Sequence, residues 1–261
     1  MFPGFTIFDR FISSYSLCAL VGIFTACPLS IHWYKKRGGS DISMINIYLF
    51  GAVGVFFGMH ILFGITNIPH WHILTEAADF KDFIMKFATI FGGSVFYGGL
   101  LGGLLAGGIS AKVQKLDIGL VTDCAAPALA LFHCFGRIGC FLGGCCYGVE
   151  SEHGVVFTNA LIESVNGVPR VPVQLYEAAF ELALFFTLWA LLCKGVLKNR
   201  LLLVYLISYS VGRFILEFWR GDEYRGFIFG LSTSQIVSII VFAVSAVLFI
   251  VKPKKTAEST R

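Results

Sequence analysis

The sequence predicts an all-α polytopic membrane protein with seven transmembrane helices. Of its 261 residues, 56% are hydrophobic and only 14% are charged, and the mean hydropathy is +0.78. Seven apolar stretches have the length of roughly 17–25 residues with which a helix crosses a bilayer. We place them at 12–34, 44–66, 88–109, 119–142, 173–193, 200–219 and 232–251, and we treat residues 1–261 as a single integral membrane domain.

Charge in the connecting segments predicts how the spans are oriented. The basic connections lie at 35–39, 111–115 and 194–200 and in the tail at 252–255, whereas the other connections mix acids with few bases. Since basic loops stay in the cytoplasm, we predict the N-terminus outside and the C-terminus inside, as an odd number of spans requires. These loops also explain the net charge of +4, so we expect no nucleic-acid partner. The start of the chain lacks a basic segment and a small-residue cleavage site, so we expect no cleavable signal.

Two longer connections on the outer side predict a small extracytoplasmic cap. Residues 70–87 carry apolar side chains at helical spacing, which predicts an amphipathic helix lying on the outer surface. Residues 149–172 contain the pair Asn166-Gly167, a turn signal between two apolar strand-like pieces.

Two arginines inside apolar spans indicate where the function lies. Arg137 belongs to the fourth span and Arg213 to the sixth. A guanidinium in hydrocarbon costs at least ~2.5–3.5 kcal/mol, so both side chains should face a polar interior and hold an anion. The predicted orientation puts both in the outer half of the membrane, at the level of polar residues from other spans: Tyr15, Tyr97, Gln174, Tyr176, Glu177 and Gln235.

One face of the sixth span is predicted to carry a polar stripe. Tyr209, Arg213, Glu217 and Arg220 are separated by 4, 4 and 3 residues, which keeps them on one side of a helix. Such a stripe faces a polar cavity or a partner helix and not lipid. A purely structural interpretation remains open, in which Glu217 pairs with Arg213 or Arg220. Arg220 and Asp222 could then simply cap the helix.

The fourth and fifth spans carry polar faces of the same kind. His133 precedes Arg137 by one helical turn, and Gln174, Glu177 and Glu181 share a face of the fifth span. The structural alternative is that Glu177 pairs with another arginine and fixes the bundle.

Glycine is abundant beside these groups. Six glycines of the third span repeat at four-residue spacing, which predicts close helix packing or a groove for an acyl chain: Gly98, Gly99, Gly102, Gly103, Gly107 and Gly108. The segment GRIGCFLGGCCYG at 136–148 sets Gly136 and Gly139 around Arg137. Backbone amides and a guanidinium together form an anion site, because the arginine fork matches phosphate oxygens.

Three of the eight cysteines lie close together in this segment. Cys140, Cys145 and Cys146 could form a disulfide or bind a metal, but no CxxC pair accompanies them and His133 is the only histidine nearby in sequence. We therefore predict no metal centre.

The motifs together resemble the prolipoprotein diacylglyceryl transferase family, from about residue 12 to 251. The resemblance is carried by GRIGCFLGGCCYG at 136–148, PVQLYEA at 172–178, YSVGRFILEFWRGD at 209–222 and LSTSQ at 231–235. It implies a bacterial inner-membrane enzyme that moves the sn-1,2-diacylglyceryl group from phosphatidylglycerol to the lipobox cysteine of a prolipoprotein signal peptide. Glycerol phosphate leaves, a thioether forms, and no metal or organic cofactor takes part.

The resemblance also implies roles for individual residues. Arg137 matches the arginine that binds phosphatidylglycerol, and Arg213 matches the family's second essential arginine. Other matched positions are implied to bind substrate together with the glycines around Arg137: Tyr15, Gly98, Gly99, Gln174, Tyr176, Glu177, Tyr209, Glu217 and Arg220.

The chain departs from the family pattern at four positions. Tyr97 stands where the family has a histidine, Cys140 replaces an asparagine, Cys145 replaces a glutamate, and Val171 replaces a histidine. These changes leave the identity of the general base open. Our hypothesis is that Tyr97 orients the lipid or the thiol and that His133 is the base.

Two other functions remain open from the sequence. An anion or lipid transporter would need arginines along a path open to both sides, whereas the charge here lies mainly in the outer half. A lipid-binding paralogue without transferase activity would keep the phosphate site. A retinal protein and the GxSG and HExxH proteases lack their diagnostic residues here.

Overall fold

In a computed structural model, which describes residues 1–160, 162–222 and 226–251, the chain is mainly helical. The basic tail at 252–255 lies outside these residues. Eight α-helices are formed within them: α1 (Ser14–Lys36), α2 (Asp41–Thr66), α3 (Phe80–Phe91), α4 (Phe96–Val113), α5 (Ile118–Gly143), α6 (Val173–Lys194), α7 (Leu201–Leu216) and α8 (Thr233–Ile250).

Six helical segments of the described residues are long and apolar enough to cross a membrane. They are α1, α2, α5, α6, α8 and Leu201–Trp219, in which a 3-10 turn continues α7. Each lies within three residues of a predicted span at both ends. The prediction of a polytopic helical membrane protein is therefore confirmed.

The predicted span at 88–109 is wrong at its start. The chain is not helical at Gly92–Val95, so that α3 ends before this segment and α4 begins after it. His60 of α2 stabilises the break, because its Nδ1 lies 2.8 Å from the carbonyl oxygens of both Phe91 and Gly93. A side chain from another helix thus satisfies backbone groups that a continuous helix would have used.

The predicted amphipathic helix at 70–87 is present only in part. A 3-10 turn covers Ile68–Leu74, and α3 begins later because the Asp79 side chain accepts the backbone N–H of Asp82 at 2.7 Å. This N-cap sets the start of the helix at Phe80. The large apolar side chains of α3 are mostly exposed to the surroundings.

The chain divides into two compact units, which are described separately. The second unit, Ile31–Val121, contains α2 and α4, whose backbones pack directly on each other. A Cβ atom added at Gly102 would lie 2.1 Å from the carbonyl oxygen of Gly54, and one at Gly98 would lie 2.3 Å from that of Gly58. The interpretation of the glycine repeat as a close packing surface is therefore confirmed.

The first unit, Met1–Ser30 with Thr122–Arg261, adds short antiparallel strands to its helices. The pairs are β1 (Gly4–Ile7) with β2 (Arg10–Ser13), β3 (Glu150–Val156) with β4 (Pro169–Arg170), and β5 (Phe227–Ile228) with β6 (Leu231–Ser232).

The connection between α5 and α6 has a small core of its own, formed by Tyr147, Phe157 and Val165. The predicted turn is present, because Gly167 has a φ of +82° that glycine adopts readily. A 3-10 turn at Glu163–Val165 comes just before it, and the strands on either side of this connection, β3 and β4, pair antiparallel.

Candidate functional site

Helices α5, α6 and α7 of the first unit are joined by a buried carboxylate. The side chain of Glu177 on α6 is 1% exposed. Its Oε1 lies 2.9 Å from Nη2 of Arg137 on α5, and its Oε2 lies 3.7 Å from Nη1 of Arg213 on α7. One glutamate therefore holds both arginines that the sequence singled out.

Arg213 is held further by two partners near the end of α7. Its Nη2 lies 2.7 Å from Oε2 of Glu217, and the same nitrogen donates a hydrogen bond to Ser234 Oγ of α8 at 3.2 Å. Of the two structural pairings left open for Glu217, the structure forms the one with Arg213. This guanidinium is therefore fixed in position by α6, α8 and the turn after α7.

Arg220 does not continue the predicted polar stripe. Helix α7 ends at Leu216, the turn Glu217–Trp219 is 3-10, and Arg220 follows with extended backbone. Its Nε and Nη2 donate to the two carboxylate oxygens of Asp222 at 2.7 and 2.6 Å. Burial alone would lower the pKa of Arg220, but these hydrogen bonds raise it above its ordinary value, so the guanidinium stays charged. The stripe on the sixth span therefore ends one turn earlier than expected.

His133 lies in the same cluster and is oriented by a second glutamate. Its Nδ1 is 2.9 Å from Oε1 of Glu181 and 3.2 Å from the hydroxyl of Tyr205. Its Nε2 is 3.8 Å from Oε1 of Glu177, and its ring lies 4.9 Å from that of Tyr209. A carboxylate at Nδ1 favours the tautomer with its proton there, which leaves the lone pair on Nε2.

We call these six groups the charge cluster: Arg137, Arg213, Glu177, Glu181, Glu217 and His133. Two guanidiniums face three carboxylates, so the cluster is neutral only when it holds one further proton, either on the imidazole or on a carboxylate. Buried charges must be closely balanced because desolvation penalises any surplus. The cluster is thus suited to bind and release a proton as well as an anion.

Arg137 has spare donor capacity, and so has Arg213, whose Nη1 finds no hydrogen-bond acceptor among the described residues. No acceptor for Nε of Arg137 is found in the part of the chain that the structure describes, and the side chain of Arg137 is 14% exposed. A Cβ atom at the preceding Gly136 would meet no atom within 4 Å, whereas one at Gly139 would lie 3.0 Å from the Cα of Tyr15. Gly136 therefore lies next to open space, and Gly139 lets α1 approach α5.

Two other predicted site residues of α6 take no part in the ion pairs of the charge cluster. Gln174 is buried and donates a hydrogen bond to the carbonyl oxygen of Cys145 at 2.7 Å. Tyr176 is 53% exposed and lines an apolar groove between α6 and α7 together with Phe180 and Val211.

Tyr97, Gly98 and Gly99 belong to the second compact unit. Gly98 packs against α2, and Tyr97 is 47% exposed. Their predicted role beside the arginines stays a prediction.

Sequence reasoning missed two members of the site. Tyr205 precedes Tyr209 by four residues, so helical spacing already placed it on the same face. Ser234 stands next to Gln235 in the segment LSTSQ, but only the packing of α7 on α8 brings its hydroxyl to Arg213.

The fold and the site define a polytopic helical membrane protein with ionisable groups buried between its spans. The profile of the family "Prolipoprotein diacylglyceryl transferase" matches residues 4–251. The chain belongs to this family, which confirms the resemblance and makes the protein a membrane transferase of lipoprotein biosynthesis.

Individual relatives agree with this assignment over nearly their whole length. A protein of Clostridium tetani named phosphatidylglycerol–prolipoprotein diacylglyceryl transferase is 34% identical over 248 residues, which cover 94% of this chain and 95% of the relative. A protein of Clostridium perfringens with the same name and the number 2 is 33% identical, with 97% and 96% covered. A relative of that name from Pasteurella multocida is 32% identical, with 91% and 86% covered.

Proposed function

We propose that this protein transfers the sn-1,2-diacylglyceryl group of phosphatidylglycerol to the thiol of a lipobox cysteine in a prolipoprotein signal peptide. The sulfur attacks the terminal glyceryl carbon, a carbon–sulfur bond forms, and the carbon–oxygen bond to the phosphate breaks. Glycerol phosphate leaves with the electron pair, and the thiol proton passes to a base. The names of the relatives supply the lipid and the class of acceptor, and the lipobox follows from the family resemblance.

The buried pair of arginines around Glu177 is the observation that carries this proposal. A phosphodiester can accept two hydrogen bonds from one guanidinium fork. Arg137 offers its unpaired Nε and a side chain that is 14% exposed. Arg213 keeps Nη1 available but is held in position by Glu217 and Ser234. We therefore assign lipid phosphate binding to Arg137 and stabilisation of the charge on the leaving phosphate to Arg213.

Lipid binding must be accompanied by a change of protonation or of pairing in the charge cluster. A phosphodiester adds one negative charge beside Glu177, so the cluster then needs a further proton to remain balanced. The thiol supplies that proton when it becomes the thiolate nucleophile. His133 is placed to accept it, since Nδ1 lies 2.9 Å from Glu181 and a proton held there leaves the lone pair on Nε2.

The same proposal includes a topology that the sequence predicts. Six apolar helical segments support it, with α4 as the remaining span. The N-terminus would lie outside and the C-terminus in the cytoplasm of a bacterial inner membrane, with the site in the outer half of a single domain. The segment between α5 and α6, with its own small core, would form the cap.

Transfer assays on arginine variants test the proposal. Arg137→Ala and Arg213→Ala, purified in detergent, are mixed with phosphatidylglycerol vesicles and a lipobox peptide, and the thioether product is measured by mass spectrometry. We expect each variant to transfer at a rate at least about 100-fold below that of wild type, because each loses a group that stabilises developing charge. Arg200→Ala, at the start of α7, is the matched control and should transfer normally. Normal rates for either of the first two variants would contradict the proposed mechanism.

The base role of His133 needs a separate measurement. His133→Ala should lose transfer to the peptide thiol but should still bind phosphatidylglycerol, because Arg137 keeps its contact with Glu177. Wild-type turnover would eliminate the base role. Rescue of a strain depleted of its own transferase separates a working enzyme from a lipid-binding paralogue, which would bind the lipid without rescue.

A further inference from the structure

A cluster of three thiols lies directly after Arg137 in the first unit. Cys140 stands in the last turn of α5, and Cys145 and Cys146 follow in the turn that leaves the helix. The three Sγ atoms all lie within 4.8 Å of one another. We call this group the thiol cluster. Its sulfur atoms are brought together by the turn geometry, since Gly144 and Cys146 have φ angles of +73° and +57°.

Cys146 has a left-handed backbone, as do seven other non-glycine residues of the described chain. A non-glycine residue with positive φ is uncommon and costs free energy, so it persists where surrounding structure requires it. Here the left-handed backbone directs the third sulfur to the other two. A disulfide would join only two of the sulfurs and leave the third without a role.

Three sulfur atoms this close together are a suitable set of ligands for a thiophilic cation. Around zinc, with bonds of roughly 2.3 Å, tetrahedrally arranged sulfurs are roughly 3.8 Å apart. No separation within the thiol cluster exceeds this value by more than about 1 Å, a difference that side-chain rotation can close. All three residues are free thiols, with Cys140 buried and the other two half-buried.

The charges near the thiol cluster complement a metal centre. Arg137 interacts electrostatically with Cys140 and Cys146, and Arg220 interacts with Cys146. Three thiolates and one divalent cation together carry a single negative charge. These guanidiniums offset that charge in surroundings of low dielectric constant.

The donor set is incomplete in a way that is typical of catalytic sites. Among the described residues the group contains no fourth histidine, cysteine or carboxylate. His133 stands two turns earlier on α5 and is held by Glu181. Structural zinc sites have four protein ligands, whereas a site with three keeps a position open for water or substrate.

We propose that Cys140, Cys145 and Cys146 bind a zinc ion whose open position takes the thiol of the acceptor cysteine. This inference rests on the proposed function and deepens it, and it departs from the sequence prediction of no metal centre. Coordination makes the acceptor sulfur a thiolate, and its proton leaves to the base or to solvent. That sulfur then forms the bond to the glyceryl carbon as the bond to phosphate breaks, and zinc changes neither charge nor oxidation state. Two of the three ligands, Cys140 and Cys145, are positions at which this chain departs from the family pattern.

Metal content and cobalt spectra test the site without any reference to activity. The full-length protein is purified in detergent with zinc sulfate and without chelator, and zinc is counted by mass spectrometry. We expect about one zinc per chain in wild type and in the matched control Cys193→Ser, and loss of zinc in Cys145→Ser and Cys146→Ser. Cobalt(II) in place of zinc should give thiolate charge-transfer absorption that shifts when a lipobox peptide is added, but not when its cysteine is replaced by serine. A metal-free wild type, or a disulfide between two of the three cysteines, would overturn the proposal.

Transfer assays then separate this inference from the proposed function. Folded wild type treated with 1,10-phenanthroline should lose transfer and regain it with zinc, which avoids variants that fail to fold. If Arg137→Ala is inactive while the chelated enzyme and Cys145→Ser transfer normally, the zinc inference is wrong and the proposed function stands. If wild type binds zinc but never modifies the peptide, the proposed function is wrong and the metal site stands.

Discussion

The Glu177→Gln substitution removes the negative charge that lies between Arg137 and Arg213. At an effective dielectric constant of about 20, attraction across the 2.9 Å contact with Arg137 is roughly 6 kcal/mol. Across the 3.7 Å contact with Arg213 it is roughly 4.5 kcal/mol. Desolvation offsets most of this in the intact protein, but loss of one partner from a buried pair costs about 3–5 kcal/mol. Since glutamine keeps an acceptor oxygen, we expect a loss of about 3 kcal/mol in the free energy of unfolding.

Denaturant unfolding in detergent micelles measures this loss of free energy and compares it with the loss caused by breaking an exposed ion pair. Glu150→Gln is the matched control, because the carboxylate of Glu150 pairs with Arg170 at 3.0 Å but is 68% exposed. Exposed pairs contribute at most about 1 kcal/mol. The double variant Glu177→Gln/Arg137→Gln should lose less than the sum of its two single variants, since neither charge is then left alone. Equal losses for Glu177→Gln and Glu150→Gln would refute the view that the charge cluster is one electrostatic unit.

Three further predictions follow from the packing around the site. Asp123→Ala should destabilise the protein by about 2 kcal/mol in the same unfolding assay, because this buried carboxylate accepts the backbone N–H groups at the start of α7. Gly102→Ala should lose about 1–3 kcal/mol through overpacking against α2, whereas Gly108→Ala, which has open space, should lose no stability. Tyr205→Phe removes one of two partners of His133 Nδ1 but leaves the other, so transfer should fall less than in His133→Ala.

The spans were predictable because hydropathy over about twenty residues reports burial in lipid directly. The break at Gly92–Val95 was not, because the chain remains apolar through it. His60 fixes that break from a different helix, 31 residues earlier in the chain than Phe91. The start of α3 was also predicted wrongly. Asp79 is a recognisable N-cap residue, but apolar side chains at helical spacing occur before it as well as after it.

For the charge cluster too, the sequence predicted residues but not the contacts between them. Five of its six members were predicted as site residues, and Glu181 was placed on the same helix face as Glu177, because charged residues are rare in apolar spans and their spacing defines helix faces. Their pairing was not determined by spacing, and only the 2.7 Å contact between Arg213 and Glu217 decides between the two alternatives for Glu217. The thiol cluster is the clearest case, since its sulfur atoms meet only through the left-handed turn at Cys146.

By itself, the sequence determined the class of protein, the family, the approximate spans and the two arginines. These are local properties, readable from hydropathy, charge and motif along one stretch of chain. Only the tertiary structure decided that Glu177 joins Arg137 to Arg213, that Glu181 orients His133, and that three sulfurs converge. Those contacts join residues from different helices or depend on a particular turn, and no local free energy along the chain specifies them.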